Sequence, residues 1–275
     1  MNRILIVIVL YQQSLEKSAA YLSLKSSVGN VGAKHAFFVY DNSPVQQFTL
    51  EEVHYVHDAG NSGVSCAYNQ AAQYAREKGF VWMLLSDQDT NYPNDMLKKY
   101  MDVIQNHPDI KLIVPKVRTH KGFLLSPCRY THKRGKYLQS IESGKLLMNR
   151  LSVINSGMMV RVDTFISVGG YNEKVPLDLS DHQFIERYKR QERFFLILDA
   201  EILQDFSNEE TNADKLYNRF RTFADAIRSC ERTNIIDSVD YFLLILRRTM
   251  MLTLRTKQIR FIKYFIAAYL CNYKR

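Results

Sequence analysis

Two carboxylates, Asp87 and Asp89, flank a single Gln at the end of an apolar run, "LLSDQDT" (84–90). Like charges that close favour a cation between them. If the strand runs on through Gln88, both acids point to one side. Their oxygens suit a hard ion, Mg2+ or Mn2+, completed by substrate phosphate oxygens, and a bound ion removes the like-charge penalty. A solvated turn at a strand end has the same spelling without a metal. Another acid, Asp181, stands in "LSDHQFIERYKRQE". Ser180 and Gln183 have capping-box spacing, which sets Asp181 in the first helical turn. The helix dipole favours an acid there for structural reasons alone. The functional alternative is a general base facing a bound hydroxyl. The dipole lowers the pKa of such an acid, so base chemistry requires burial or neighbouring carboxylates as an offset.

Other polar groups sit near these. Asp41 begins the turn-like "DNS" after an apolar run and reads either as a turn former or as an acceptor for a base N–H. In "NSGVSCAYNQ" (61–70), Gly63 permits close backbone approach and the following helix start favours an anion; capping by Ser62 or Asn61 is the plainer alternative. "NSG" (155–157) interrupts a later apolar run.

The elements that must position these groups alternate over the first hundred residues. "ILIVIVLY", "HAFFVYDNS", "EEVHYVH", "FVWMLLSD" and "IKLIVPKV" read as strands. "SLEKSAAYLSLKSS", "GVSCAYNQAAQYAREKG" and "PNDMLKKYMDVIQNHP" read as helices. The βαβ rhythm predicts an α/β fold with a mostly parallel sheet covered by helices. Ligands of such sheets collect at the carboxyl ends of the strands, where Asp41 and Asp87 fall. Residues 118–150 read as loops with a strand or two, "SVINSGMMV" as one strand, "RVDTFISVGG" as a short helix and "FFLILDAEIL" as a final strand. From about residue 211 the pattern changes to long, basic, amphipathic helices, so a boundary is expected near 210.

With 275 residues, 46% hydrophobic and 24% charged, the chain is globular. The net charge of +9 points to anionic partners. The four scattered cysteines fit reduced thiols in the cytosol rather than a zinc site or a disulfide framework. The apolar N-terminal run is short and reads as a buried strand, not a leader.

The motifs occur in a telling order: "DNS", "NSGVSCAYNQ", "SDQDT", "INSGMMV", "GGYNE", then "DLSDHQF". That order resembles glycosyltransferase family 2, the inverting sugar transferases of the GT-A fold, and most of all their rhamnosyltransferase-like branch, where Asp-Gln-Asp is typical. The resemblance spans about residues 3–207. It implies that Tyr11, Asp41, Asn61, Gly63, Asn69 and Asp87 form the nucleotide pocket and that Asp87 and Asp89 hold the donor diphosphate through Mn2+ or Mg2+. It implies that Asp181 is the base, with Asp178 a supporting acid or an acceptor contact, and that Ser156 and Gly157 lie on the acceptor side. The expected reaction moves a sugar from a UDP- or dTDP-sugar donor, rhamnose among the candidates, to a hydroxyl of a surface polysaccharide or lipid-linked glycan. Two positions depart from the family. Gln12 stands where many members have Asn, and "EILQDFS" has Gln204 where many have a His metal ligand, with Asp205 beside it. The second departure leaves open a degenerate member that binds a sugar nucleotide or a partner protein without transfer.

Residues 1–210 are thus expected to form the GT-A catalytic domain. Residues 211–275 are expected to be a helical appendage that rests on an anionic membrane surface, packs on the catalytic domain, or joins a homo-oligomer. The expected location is cytoplasmic, peripheral on the inner face of the cell membrane. No nucleic-acid-binding module is recognisable, so nucleic acid is not an expected partner.

Overall fold

A computed structural model describes residues 3–28, 34–47, 52–204 and 212–271. Its centre is β1 (Ile4–Leu10), buried along its whole length. The β-branched run has two apolar faces, and both are used. Leu5, Val7 and Val9 enter one core with α2 (Gly63–Glu77), α4 (Val162–Ser167) and α5 (Ser180–Gln191). Ile4, Ile6, Ile8 and Leu10 enter the other with α1 (Ala19–Val28) and α3 (Met96–Asn106). The period-2 alternation of a strand thus sorts one sequence run into two cores.

Around β1, the strands β2 (His35–Asp41), β3 (Val53–His57) and β4 (Trp82–Asp87) run parallel in the order β3-β2-β1-β4. The order reverses direction about β1, which opens a crevice at the carboxyl ends. Register sets Leu10 opposite Asp41 and Val9 opposite Asp87, so the two acids flank the end of β1.

The sheet continues through β10 (Met158–Arg161), β5 (Leu112–Arg118), β11 (Phe194–Leu203) and β8 (Gly144–Leu147). β5 and β11 are parallel, while β10 is antiparallel to both its neighbours and β8 is antiparallel to β11. β6 (Leu124–Thr131), β7 (Arg134–Leu138) and β9 (Leu151–Ser152) form an antiparallel extension off β5. Residues 118–150 therefore hold more strand than their Lys, Arg, Tyr and Ser content predicts, because cross-strand pairing overrides local composition. "SVINSGMMV" is two strands: Gly157 turns at φ +79° and separates β9 from β10.

The predicted first helix is also split. A 3-10 turn at Leu15–Lys17 precedes α1. Ser18 at the break donates from Oγ to the Gln88 carbonyl at 2.9 Å.

The last helices, α6 (Ala213–Ser229), α7 (Ile235–Thr256) and α8 (Arg260–Tyr264), followed by a π turn, share a third apolar cluster. Val175 and Leu179, from the loop before α5, pack into it.

Candidate active site

Asp87, the last residue of β4, is held by three donors from separate parts of the chain. Tyr68 of α2 donates to Oδ1 at 3.3 Å. Ser156 Oγ and Gln204 Nε2 donate to Oδ2 at 2.8 and 2.9 Å. Burial, and then the charge of Asp87, push the Tyr68 phenol well above its usual pKa, so it stays a donor. Gln88, between the two acids, ties this turn to the end of β1. Its Oε1 accepts from Tyr11 N at 2.7 Å and its Nε2 donates to Tyr11 O at 3.2 Å. Asp89 is exposed in the same turn, and Tyr11, just past the end of β1, is exposed as well.

Asp181 lies in the first turn of α5, as its spacing predicts, but not through a capping box. Leu179 is the N-cap, at φ 75°, and Ser180 Oγ and Gln183 Nε2 are buried without partners. Gln183 Oε1 instead accepts from Asn172 at 2.9 Å. The Asp181 side chain is 17% exposed. Its carboxyl is raised above the ordinary value. Burial is the largest cause, and the Asp87 and Asp178 charges add to it, outweighing the opposing effect of His182. Those are the offsets a base in a helix's first turn requires. His182 anchors this turn: its Nδ1 is 2.8 Å from Ser152 Oγ and its ring lies 4.6 Å from that of Tyr130.

Asp178 is paired with two arginines. Arg219 of α6 donates to its Oδ1 at 2.8 Å and Arg248 of α7 to its Oδ2 at 3.1 Å. Burial opposes the charge, but the two guanidinium groups outweigh it and keep the carboxyl below its usual range. Asp178 is a tie between the loop that carries Asp181 and the C-terminal helices. It is not a free acid.

Several residues expected at the nucleotide are committed internally. Asp41 is fully buried. Its Oδ1 accepts from Ser43 N at 2.9 Å, and its Oδ2 accepts from Gln47 N at 3.0 Å and from the Tyr55 hydroxyl. Burial alone would raise its pKa, but the bonds from Ser43, Tyr55 and Gln47 hold it low. Its local reading as a turn former describes this geometry. The amide of Asn69 is spent on the 171–173 loop: it accepts from Tyr171 N at 2.8 Å and donates to Tyr171 O at 3.0 Å and Glu173 Oε1 at 2.9 Å.

Gly63 is needed for packing. It stands at φ +87°, and a Cβ there would meet Pro176 O at 2.3 Å. The start of α2 is not an open anion site. Ser62 N donates to Asp58, Gly63 N to Asn42 and Val64 N to Pro176 O. Asn61 is exposed in the turn ahead of it, at φ 52°. Ser156 serves Asp87 rather than pointing away from it. Gly157 admits Pro115, which a Cβ would meet at 2.5 Å.

Among the described residues no three His, Cys, Asp or Glu side chains gather as a metal shell. Asp205 lies outside the described residues. One observation nonetheless fits a hard divalent ion. Among the described residues Gln204 Oε1, buried, has no hydrogen-bond partner, on the amide whose nitrogen binds Asp87. A buried oxygen without a donor is costly and is the kind of ligand Mg2+ or Mn2+ takes. Asp87, Asp89 and Gln204 are the residues whose oxygens would hold such an ion, with donor phosphates and water completing the shell. Sequence reasoning missed Tyr68 and Gln88. The signal for Gln88 was there, since it stands between the two acids, but its partner Tyr11 is distant in the chain.

Comparison with known proteins identifies the family and the fold. The sequence profile of glycosyl transferase family 2 matches residues 27–167, just over half the chain. A dTDP-rhamnosyl transferase, RfbF of Shigella flexneri, is 25% identical over 139 residues, covering 50% of this chain and 47% of its own. The chain therefore spans about half the length of that curated relative. The crystal structure of S. aureus TarS superposes with a TM-score of 0.54 at 14% identity, over 91% of this chain and 44% of TarS. TarS 1–349 in complex with UDP-GlcNAc superposes at 0.50 and 13% identity, over 91% of this chain and 73% of that one. These likenesses establish the GT-A fold. The chain belongs to glycosyl transferase family 2.

Proposed function

We propose that this chain is an inverting glycosyltransferase. It moves a sugar, rhamnose first among the candidates, from a dTDP- or UDP-sugar to a hydroxyl of a surface polysaccharide or lipid-linked glycan. The observation that carries the reading is Asp181: a largely covered carboxylate, its pKa raised by burial with Asp87 and Asp178 adding to the rise. The likeness to a dTDP-rhamnosyl transferase and to a UDP-GlcNAc complex supports the donor class.

In the reaction, Asp181 takes the proton of the acceptor hydroxyl as its oxygen attacks the anomeric carbon. The bond from that carbon to the diphosphate breaks as the new one forms, so configuration inverts and no enzyme carboxylate acts as nucleophile. Asp87, held in place by Tyr68, Ser156 and Gln204, orients the diphosphate end with Asp89. A bound Mn2+ or Mg2+ would neutralise charge building on the leaving phosphate. Tyr11 and Asn61, exposed at the crevice, contact the nucleoside, while Asp41 shapes the 41–47 segment beneath it. Gly63 and Asn69 act by fixing the 171–176 loop that leads to Asp181.

The test is calorimetry of the full chain with UDP and dTDP, with and without Mn2+, followed by transfer assays with the corresponding sugars. Metal-dependent binding of one nucleotide, with turnover, is expected. Binding of neither rejects the reading. Binding without turnover of any donor favours the catalytically silent sugar-nucleotide binder.

A further inference from the structure

Helix α7 has two apolar faces, and the protein covers one of them. At about 100° per residue, Tyr241, Ile245, Thr249 and Leu252 form the buried side, which packs into the third apolar cluster. On the opposite side Ile236, Val239, Leu243, Met250 and Leu254 fall within about 60° of arc and stand in solvent, Ile236 being 61% and Leu254 78% exposed. An apolar stripe of this length is not the scatter of single exposed residues found on ordinary surfaces. Arg247 flanks it, about 50° from its centre line, and Arg255 and Lys257 stand exposed just past its end. From Tyr241 to the last residue the sequence contains no Asp or Glu.

We infer that the outer face of α7 docks on an anionic lipid surface, with the helix lying in the plane of the interface. Three observations select that occupant. The stripe is apolar and its exposed charges are cations, while the two acids within its length, Asp237 and Asp240, are covered and paired with Lys133 and His132, which is the pattern of an interfacial helix on anionic lipid. A second copy laid antiparallel on the same stripe would bring Arg247, close to its mid-length, near its own equivalent. Asp240, the nearest acid, is only 12% exposed and is bound to His132. Finally, no described helix is long and apolar enough to cross a membrane, so the helix lies on the surface rather than spanning it. The inner side of the same helix carries Arg248, which binds Asp178 three residues before Asp181. Docking would therefore hold the loop carrying Asp181 within a helix diameter or so of the lipid, roughly 10–12 Å. The inference does not depend on the transfer reaction.

The test is flotation of the full chain with vesicles of phosphatidylglycerol and phosphatidylcholine, against vesicles of phosphatidylcholine alone. Binding to the anionic vesicles only is expected. The combined variant Leu243→Ser, Met250→Ser and Leu254→Ser changes exposed side chains alone. It should weaken binding at least about tenfold, while far-UV circular dichroism stays as in the parent. Arg247→Glu should do the same and make the remaining binding less sensitive to salt. Equal flotation of parent and triple variant overturns the inference. So does a parent that ignores anionic vesicles but forms a dimer in light scattering that the triple variant dissolves, which would assign the stripe to a second copy.

Discussion

Gly63→Ala separates two jobs for one residue. As a wall of the nucleotide pocket, Gly63 would change nucleotide affinity and leave stability alone. The geometry gives it another job. A Cβ would lie 2.3 Å from Pro176 O and 2.6 Å from Pro176 Cβ. The obstacle is backbone and a ring, not the far end of a flexible side chain, so the 175–176 segment must move. That movement breaks two bonds, Val64 N to Pro176 O at 2.8 Å and Ser65 Oγ to Val175 O at 2.6 Å. Each is worth about 1 kcal/mol. Holding Ala at φ +87° adds about 1–2 kcal/mol. The sum is about 3–4 kcal/mol, which for a chain of this size lowers Tm by about 6–16 °C. Because the displaced segment leads straight to Asp178 and Asp181, kcat should fall while Kd for the nucleotide changes less than about threefold. Scanning calorimetry, nucleotide titration and a transfer assay on the same preparation read all three. A Tm within 2 °C of the parent, which is about 1 kcal/mol or less, together with a large loss of nucleotide affinity, would refute the packing argument and return Gly63 to the pocket.

Asp181→Asn should bind the donor as the parent does and lose transfer by at least about a hundredfold; retained turnover removes Asp181 as the base. The same variant carries a stability signature. A carboxyl raised by the fold costs stability above its raised pKa and nothing below the ordinary value of 3.8. Asp181→Asn should therefore melt at or above the parent at pH 7, with the gap closing as pH falls toward 3.8, and a gap independent of pH would contradict the assignment. Gln204→Ala and Asp89→Ala should each weaken Mn2+-dependent nucleotide binding about tenfold, measured by calorimetry, with metal-free binding little changed; no effect from either sinks the metal reading. Arg248→Met leaves the Asp178 carboxylate with one guanidinium and should cost about 2–3 kcal/mol, seen as a lower Tm, with kcat reduced and nucleotide Kd unchanged. A parent-like Tm would show that Arg219 alone suffices.

Much of the fold is legible in local patterning. The run 4–9 is β-branched throughout, so its burial on both faces follows from composition, and the alternation of strand and helix patterns up to Val117 yields the parallel half of the sheet. The antiparallel extension is not legible in this way. Residues 124–138 carry polar and basic side chains, and only pairing, of β6 with β5 and β9 and of β7 with β6, makes them strands. The acidic turn at Asp87–Asp89 stands out because like charges so close in sequence are unfavourable without a reason. The roles of Gly63, Asn69 and Asp178 do not stand out. A glycine before a helix, an amide inside one and an acid before another are each consistent with several environments.

Sequence alone determined the family, the strand that ends in Asp87, and the place of Asp181 in a first helical turn. These depend on residue type and spacing along the chain, and both are local. Only the tertiary structure decided which carboxylate is paired with arginine. Asp178 and Asp181 are three residues apart and chemically identical. One is lowered by Arg248 and Arg219, which reach it from helices after residue 211, and the other is raised by burial, with the Asp87 charge adding to it. A carboxylate's pKa is set by the charges and the dielectric within a few ångströms of it, and those neighbours come from parts of the chain that the sequence separates and the fold brings together.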